Sequence, residues 1–283
     1  MQGLTKMILL DADVRRMAAS EDPWALTTKI LALHRQYYDP TRDAFRWLYS
    51  CADLARTSWA MDTSTHTVLE GYLEYSSKKY AERALLQAGR SPSFSSQVTD
   101  SHFRVDHNPR LILKVHHGQY LPELAAAAMH GVTFVARHAP EDHIYHELLV
   151  ALSRLGVHVI FGFNHAMRAL SAGRDTILFI DSASFRDYRH NTILNLAGLP
   201  IAINARTFTL LRHAREIGVR IEAHAGSLTW TCNVDDAHVA FVAGILESVV
   251  IANPEQWDRI KYLMILNRLA SSISTEIDSA KGE

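Results

Sequence analysis

Little in this chain can cross-link. Its two cysteines, Cys51 and Cys232, are far apart and form neither a CxxC pair nor a spaced framework, so a disulfide-stapled scaffold and a cysteine-built zinc fold are excluded. Reduced thiols in a cytoplasmic protein are the expectation. Long hydrophobic runs are missing too. The short apolar stretch 7–10 is broken by Asp11, too brief for a signal-peptide core, and nothing reaches the roughly 20 apolar residues of a spanning helix. The chain is expected to be soluble, at most in peripheral contact with a membrane surface. Neither sign of charge dominates: 29 Lys+Arg face 30 Asp+Glu, a net charge of -1, which argues against wholesale non-specific nucleic-acid binding. Several signatures are absent as well. Without GxxxxGK[ST], GxGxxG, GxSxG or HExxH, the P-loop hydrolases, Rossmann dehydrogenases, serine α/β-hydrolases and zincins fall away as readings.

What is present is a globular composition, 48% hydrophobic and 21% charged over 283 residues, enough for one large α/β domain or two small ones. The first 90 residues read as helical. Asp22-Pro23-Trp24 is a cap followed by a first-turn proline, and helical spacing recurs through Phe45, Leu48, Tyr49 and Ala52 and through Tyr72, Tyr75 and Tyr80. Trp47 and Trp59 are expected in the core. The stretch 89–96 reads as a loop, and from about residue 98 short strands alternate with helices. Strands are expected at 111–115, 131–137, 157–161, 176–181 and 219–223, and helices at 139–155, 165–172, 208–217, 235–252 and 254–276. A Leu-Pro-Ile run at 199–201 follows a loop rich in Arg and Asn. Alternation of this kind implies an α/β fold, a mainly parallel sheet flanked by helices, with an N-terminal helical subdomain at 1–97 and the α/β domain at 98–283.

Two patterns carry chemistry. In the first, Asp142 and His146, and His143 and Glu147, are each one helical turn apart, a spacing able to hold a metal. Acids in a solvated first helical turn explain the same residues, and no metal is assigned. The second is the corner Val115-His116-His117-Gly118-Gln119-Tyr120, where an apolar strand gives way to a helix carrying Pro122 in its first turn. Ligands bind at such corners in open α/β sheets. A neutral imidazole there can take a proton from an attacking hydroxyl or amine, and nearby N–H groups can steady an oxyanion. The bland alternative is a structural histidine satisfied by backbone. The surroundings favour anionic or ester-like ligands: residues 101–220 hold 13 Lys+Arg against 9 Asp+Glu, and 12 of the 16 histidines.

The segment Leu111-Ile112-Leu113-Lys114-Val115-His116-His117-Gly118-Gln119-Tyr120 resembles the strand and His-Phe-Gly-Asn-Trp-Glu segment of the lipid A biosynthesis lauroyl/myristoyl acyltransferases, within the lysophospholipid acyltransferase-like superfamily. The strand 131–137 with its Arg137, the helix around Arg168, the strand ending in Asp181-Ser182 and the Pro254-Glu255-Gln256-Trp257 segment match that family in order, over roughly residues 105–262. The resemblance implies transfer of an acyl group from a thioester donor, acyl-CoA or acyl carrier protein, to a hydroxyl or amine. His116 is then the general base, with His117 beside it. Gly118, Gln119, Tyr120 and Arg137 become contacts to substrate or developing charge, and Arg168 and Arg186 contacts to a donor phosphate. No cofactor is expected.

The family pattern of His, four residues, then Asp or Glu is not kept. Leu121 stands at the acid position counted from His116, and Pro122 counted from His117. Glu123 and Asp181 are the carboxylates that can substitute. The family's N-terminal membrane helix has no counterpart, which points to a soluble small-molecule acceptor. Two further readings keep the fold: an aminoacyl transferase whose donor is aminoacyl-tRNA, and an inactive relative that binds an acyl chain or carrier protein.

Overall fold

The structure, a computed structural model, describes residues 8, 11–20, 22–90, 109–118, 120–128, 131–136, 143–185, 188–225, 228–233 and 237–281. Among the described residues the first elements with full ranges are four helices: α1 (Ala12–Ser20), α2 (Pro23–Tyr37), α3 (Asp43–Ser58) and α4 (Thr65–Gln87). The Asp22 side chain caps α2 by accepting from Trp24 N, with Pro23 in the first turn, and Ser64 caps α4 through Thr67 N. These bonds satisfy amides that a helix start otherwise leaves unpaired. α4 is buried along nearly its whole circumference, including the polar Ser76, Ser77, Lys79 and Glu82. It is a central strut, touching α1, α2 and α3 on one side and later helices on the other.

The α/β portion runs β1 (Arg110–Lys114), α5 (Tyr120–Ala128), β2 (Thr133–Ala136), α6 (His143–Arg154), β3 (His158–Phe161), α7 (Phe163–Ser171) and β4 (Thr176–Phe179). A hairpin of β5 (Asn191–Leu196) and β6 (Leu199–Asn204) follows, then α8 (Arg206–Glu216), β7 (Arg220–Ala225), β8 (Leu228–Thr231) and α9 (His238–Leu246), which widens into a π turn at Glu247–Ile251. Short 3-10 turns at Pro254–Gln256 and Ile260–Tyr262 lead into α10 (Leu263–Lys281). The main sheet has the order β3-β2-β4-β1-β7-β8, with every pairing parallel except the antiparallel β7–β8 edge. β1 is central, and all five of its residues are buried. Leu111 and Leu113 join a core shared with the N-terminal helices, whereas Ile112 packs with Ile177, Phe179, Leu121 and Leu124 on the other face. That is the period-two division of a strand covered on both sides. Trp59 is buried in the shared core, and half-buried Trp47 packs against it.

Three expectations change. The second half of the Arg- and Asn-rich stretch before Leu199 is strand β5, turned into β6 through Ala197 and Gly198, both at positive φ, the geometry of a tight hairpin turn. β8 adds an unanticipated antiparallel edge. Residues 254–276 do not form one helix, because the stretch 256–258 pairs its backbone with the histidine corner: Gly118 N donates to Gln256 O and Asp258 N to His116 O. A backbone committed to that pairing cannot close the i to i−4 bonds of a helix. Among the described residues, no helix is long and apolar enough to cross a membrane.

Candidate active site

β1 delivers the corner and β4, its parallel neighbour, delivers the carboxylate. Lys114 and Phe179 are paired across the two strands, so the residues just past each strand end lie side by side. There the Asp181 carboxylate accepts three bonds: from His116 N at 3.0 Å, from His116 Nδ1 at 2.7 Å and from Trp257 Nε1 at 2.9 Å. Its side chain is wholly shielded from solvent. Burial alone pushes this carboxyl up, but His116, Arg259 and Trp257 together hold it below the ordinary carboxylate range. An ionised carboxylate only accepts hydrogen bonds, so Nδ1 carries the imidazole proton and Nε2 carries the lone pair. Burial, followed by the Arg259 charge, lowers the His116 pKa below 6.5 despite the opposing pull of Asp181. His116 is thus a neutral, oriented base.

Three aromatic and cationic neighbours box the ring. Phe179 stacks on it with centroids 4.1 Å apart and planes at 28°, Tyr120 meets it edge-on at 5.2 Å, and Arg259 Nη2 lies 3.1 Å from Nε2. Behind the ring, buried Asp258 accepts from Arg83 and Tyr120, each at 3.2 Å, and pairs with Lys261 at 3.5 Å. Burial raises its pKa, but Lys261, Arg83 and Arg259 outweigh that and keep it ionised. Tyr120, tied into this network, has a phenol pKa pushed up by burial and by Asp258.

His116 and Asp181 line a cavity of about 550 Å³. Its wall divides by element. α5, β2, α6 and the start of α7 contribute Leu121, Leu124, Phe134, Leu148, Leu152 and Phe163, an apolar arm. The loop after β4, the hairpin, α8 and the segment leading into α10 contribute Ser182, Ser184, His190, Asn204, Arg206 and Arg259, the polar and positively charged groups of a mouth that also carries Ala183, Phe185, Tyr262 and Leu266. The dyad sits where the two meet. Leu121, at the position where the family pattern has its acid, is almost fully buried and forms part of the apolar arm.

The remaining residues singled out by sequence separate. His117 does not line the cavity. Its Nε2 donates to Asn253 O at 3.0 Å, and burial lowers its pKa. Gly118 adopts φ +60°, and its N–H is taken by Gln256 O at 3.3 Å, so that amide points to backbone rather than to an oxyanion. The Glu123 carboxylate pairs with buried Lys114 rather than bonding His116, and reaches His117 only through its charge. Arg168 is exposed on α7, away from the cavity wall. Gln119, Arg137, Arg186 and the side chains of the 142–147 cluster lie outside the described residues. Sequence reasoning overlooked Arg259, Trp257 and Asp258 as site residues. The signal was close by, since Trp257 ends a matched segment and the other two follow it directly. No protein-family model matches the chain, and no curated protein matches it in sequence.

Proposed function

We propose that the protein is an acyltransferase that moves an acyl group from a thioester donor, on acyl carrier protein or coenzyme A, to a hydroxyl or amine. The observation that carries this reading is the His116–Asp181 dyad at the junction of an apolar arm and a cationic, polar mouth. The arm suits a hydrocarbon chain, and the mouth suits a polar acceptor. His116 Nε2 takes the proton of the acceptor as its oxygen or nitrogen attacks the thioester carbon. The tetrahedral oxyanion then collapses, the C–S bond breaks, and the imidazolium returns the proton to the departing thiolate. The products are an ester or amide and a free thiol. Asp181 holds the tautomer and offsets the transient charge on the ring, as a carboxylate does for a catalytic histidine. The inactive-relative reading drew on Leu121 in place of the acid, and that support falls once Asp181 is placed against His116.

The test is intact-mass detection of acyl transfer from loaded carrier protein or acyl-CoA to a panel of hydroxyl and amine acceptors. His116→Ala should lower kcat by about 10³-fold, the scale of a lost general base, while donor binding persists. Full transfer by that variant sinks the general-base assignment. Transfer only from charged tRNA, with a steep salt dependence, replaces the thioester donor by an aminoacyl ester. Donor affinity should also climb with chain length until the arm is full. Each buried methylene is worth about 0.8 kcal/mol, roughly a fourfold change in Kd. A flat dependence across a chain series removes the assigned role of the arm.

A further inference from the structure

We propose that Arg259 is the positioning residue of His116, a guanidinium laid over the imidazole face opposite Phe179 so that only the in-plane approach to Nε2 faces the cavity. The proposal rests on the reading of His116 as the base and goes beyond it. Its first support is a pair of distances: Arg259 Nη2 lies 3.4 Å from Nδ1 and 3.1 Å from Nε2 of the same ring. A donor aimed along the Nε2 lone pair lies in the ring plane and, at ordinary hydrogen-bond length, is about 5 Å from Nδ1. Near-equal distances therefore place Nη2 above the ring, as in a cation stacked on an aromatic face. One face is already taken by Phe179, whose centroid is 4.1 Å away. The guanidinium is on the other.

The backbone fixes this arrangement. Asp258, the residue before Arg259, donates its N–H to His116 O at 2.8 Å, and the neighbouring Trp257 holds Asp181. The segment that anchors the acid thus also carries the clamp. Tyr120 closes the ring edge and Asp181 occupies Nδ1. Among the described residues, the charged groups acting on His116 are Arg259, Asp181 and Asp258, and Arg259 is the cation among these. Its charge disfavours the imidazolium, which keeps the resting base neutral. The same charge makes the imidazolium a stronger acid when the proton must pass to the leaving thiolate.

The test combines a nuclear magnetic resonance titration of the His116 Cε1–H signal with the pH profile of acyl transfer, in the full-length wild type, Arg259→Gln and Arg259→Lys. The indole N–H signal of Trp257 reports that the dyad remains assembled. For Arg259→Gln, the His116 titration should move to higher pH by about half a unit or more. The acid limb of kcat/KM should move with it, and kcat should fall by about tenfold or more. Lysine keeps a charge without the planar stack, so Arg259→Lys should titrate near wild type while recovering kcat only in part. An unmoved titration in Arg259→Gln with Trp257 intact overturns the proposal, as does kcat unchanged in both variants. If the wild type transfers no acyl group, the titration still decides the clamp, and the failure belongs to the acyltransfer reading alone.

Discussion

A fully buried histidine and a part-buried one in this molecule share a tautomer and a lowered pKa but differ in their surroundings. In the helical core, His34 is completely buried, with Nδ1 2.7 Å from Ser77 Oγ. The Ser77 hydroxyl is already donating to Leu73 O at 2.6 Å, so Nδ1 of His34 carries the proton. Among the described residues its Nε2 meets no hydrogen-bond partner, and Tyr80 and Tyr38 pack edge-on and tilted against the ring. Burial drives its pKa down to about 3. At the corner after β1, His116 has the same proton on Nδ1, but its partner is a carboxylate and its Nε2 borders a cavity. A depressed pKa therefore does not identify a base. What separates the two is whether the lone pair can be reached and whether a fixed charge waits to offset the imidazolium.

The comparison can be broken most forcefully at Asp181. Asp181→Asn leaves the size unchanged but removes the charge and one of the two acceptor oxygens that His116 N, Nδ1 and Trp257 share. Its amide can also donate and favour the wrong imidazole tautomer. The expected loss is on the order of 10²–10³-fold in kcat, read by the transfer assay, while the corresponding change at the core, Ser77→Ala, leaves kcat unaltered. Equal activity of Asp181→Asn and wild type would erase the distinction drawn between the two sites.

Stability against pH sharpens the same contrast. His34 binds its proton near 6.5 in the unfolded chain and near 3 in the folded one. The unfolded state is thus the better proton binder in that window, and stability falls as pH drops through it. The penalty is on the order of a few kcal/mol by the low end. His34→Phe should flatten the urea-unfolding free energy between pH 6 and 4, relative to wild type, by roughly that amount. An unchanged slope shows that other groups govern acid unfolding. The smallest effect belongs to Ser77→Ala, which leaves the buried Nδ1–H without its acceptor and should lower stability by about 1–3 kcal/mol, measured as a shift in the urea midpoint at constant slope. A loss below a few tenths of a kcal/mol means that the ring finds another acceptor on relaxing.

Much of the architecture was legible because its determinants are local. The cap Asp22 and the apolar runs of β1 and β4 each act over a few residues, and local pattern reads them. The histidine corner was legible for the same reason, as was Asp181 at the end of a strand. The hairpin was missed because β5 carries Asn191 at its start and Asn195 one residue before its end, a composition that reads as loop. In the fold, Asn191 bonds both backbone groups of Ser184 and Asn195 caps the turn at Gly198, so these polar residues define strand ends rather than interrupt them. Arg259 was invisible as a site residue because its meaning depends on a ring 143 positions away.

The sequence by itself determined a mainly parallel α/β architecture, a strand-to-helix corner presenting His116, and a carboxylate at the end of another strand. Tertiary structure decided which carboxylate serves the histidine. Glu123, close in sequence, turns to Lys114, while Asp181, 65 residues away, is brought alongside because β4 is the neighbour of β1 in the sheet. It also decided that Leu121 faces an apolar arm, where an unpaired charge is costly. Strand order is set by the packing of all the helices and strands together, and no local pattern along the chain encodes it.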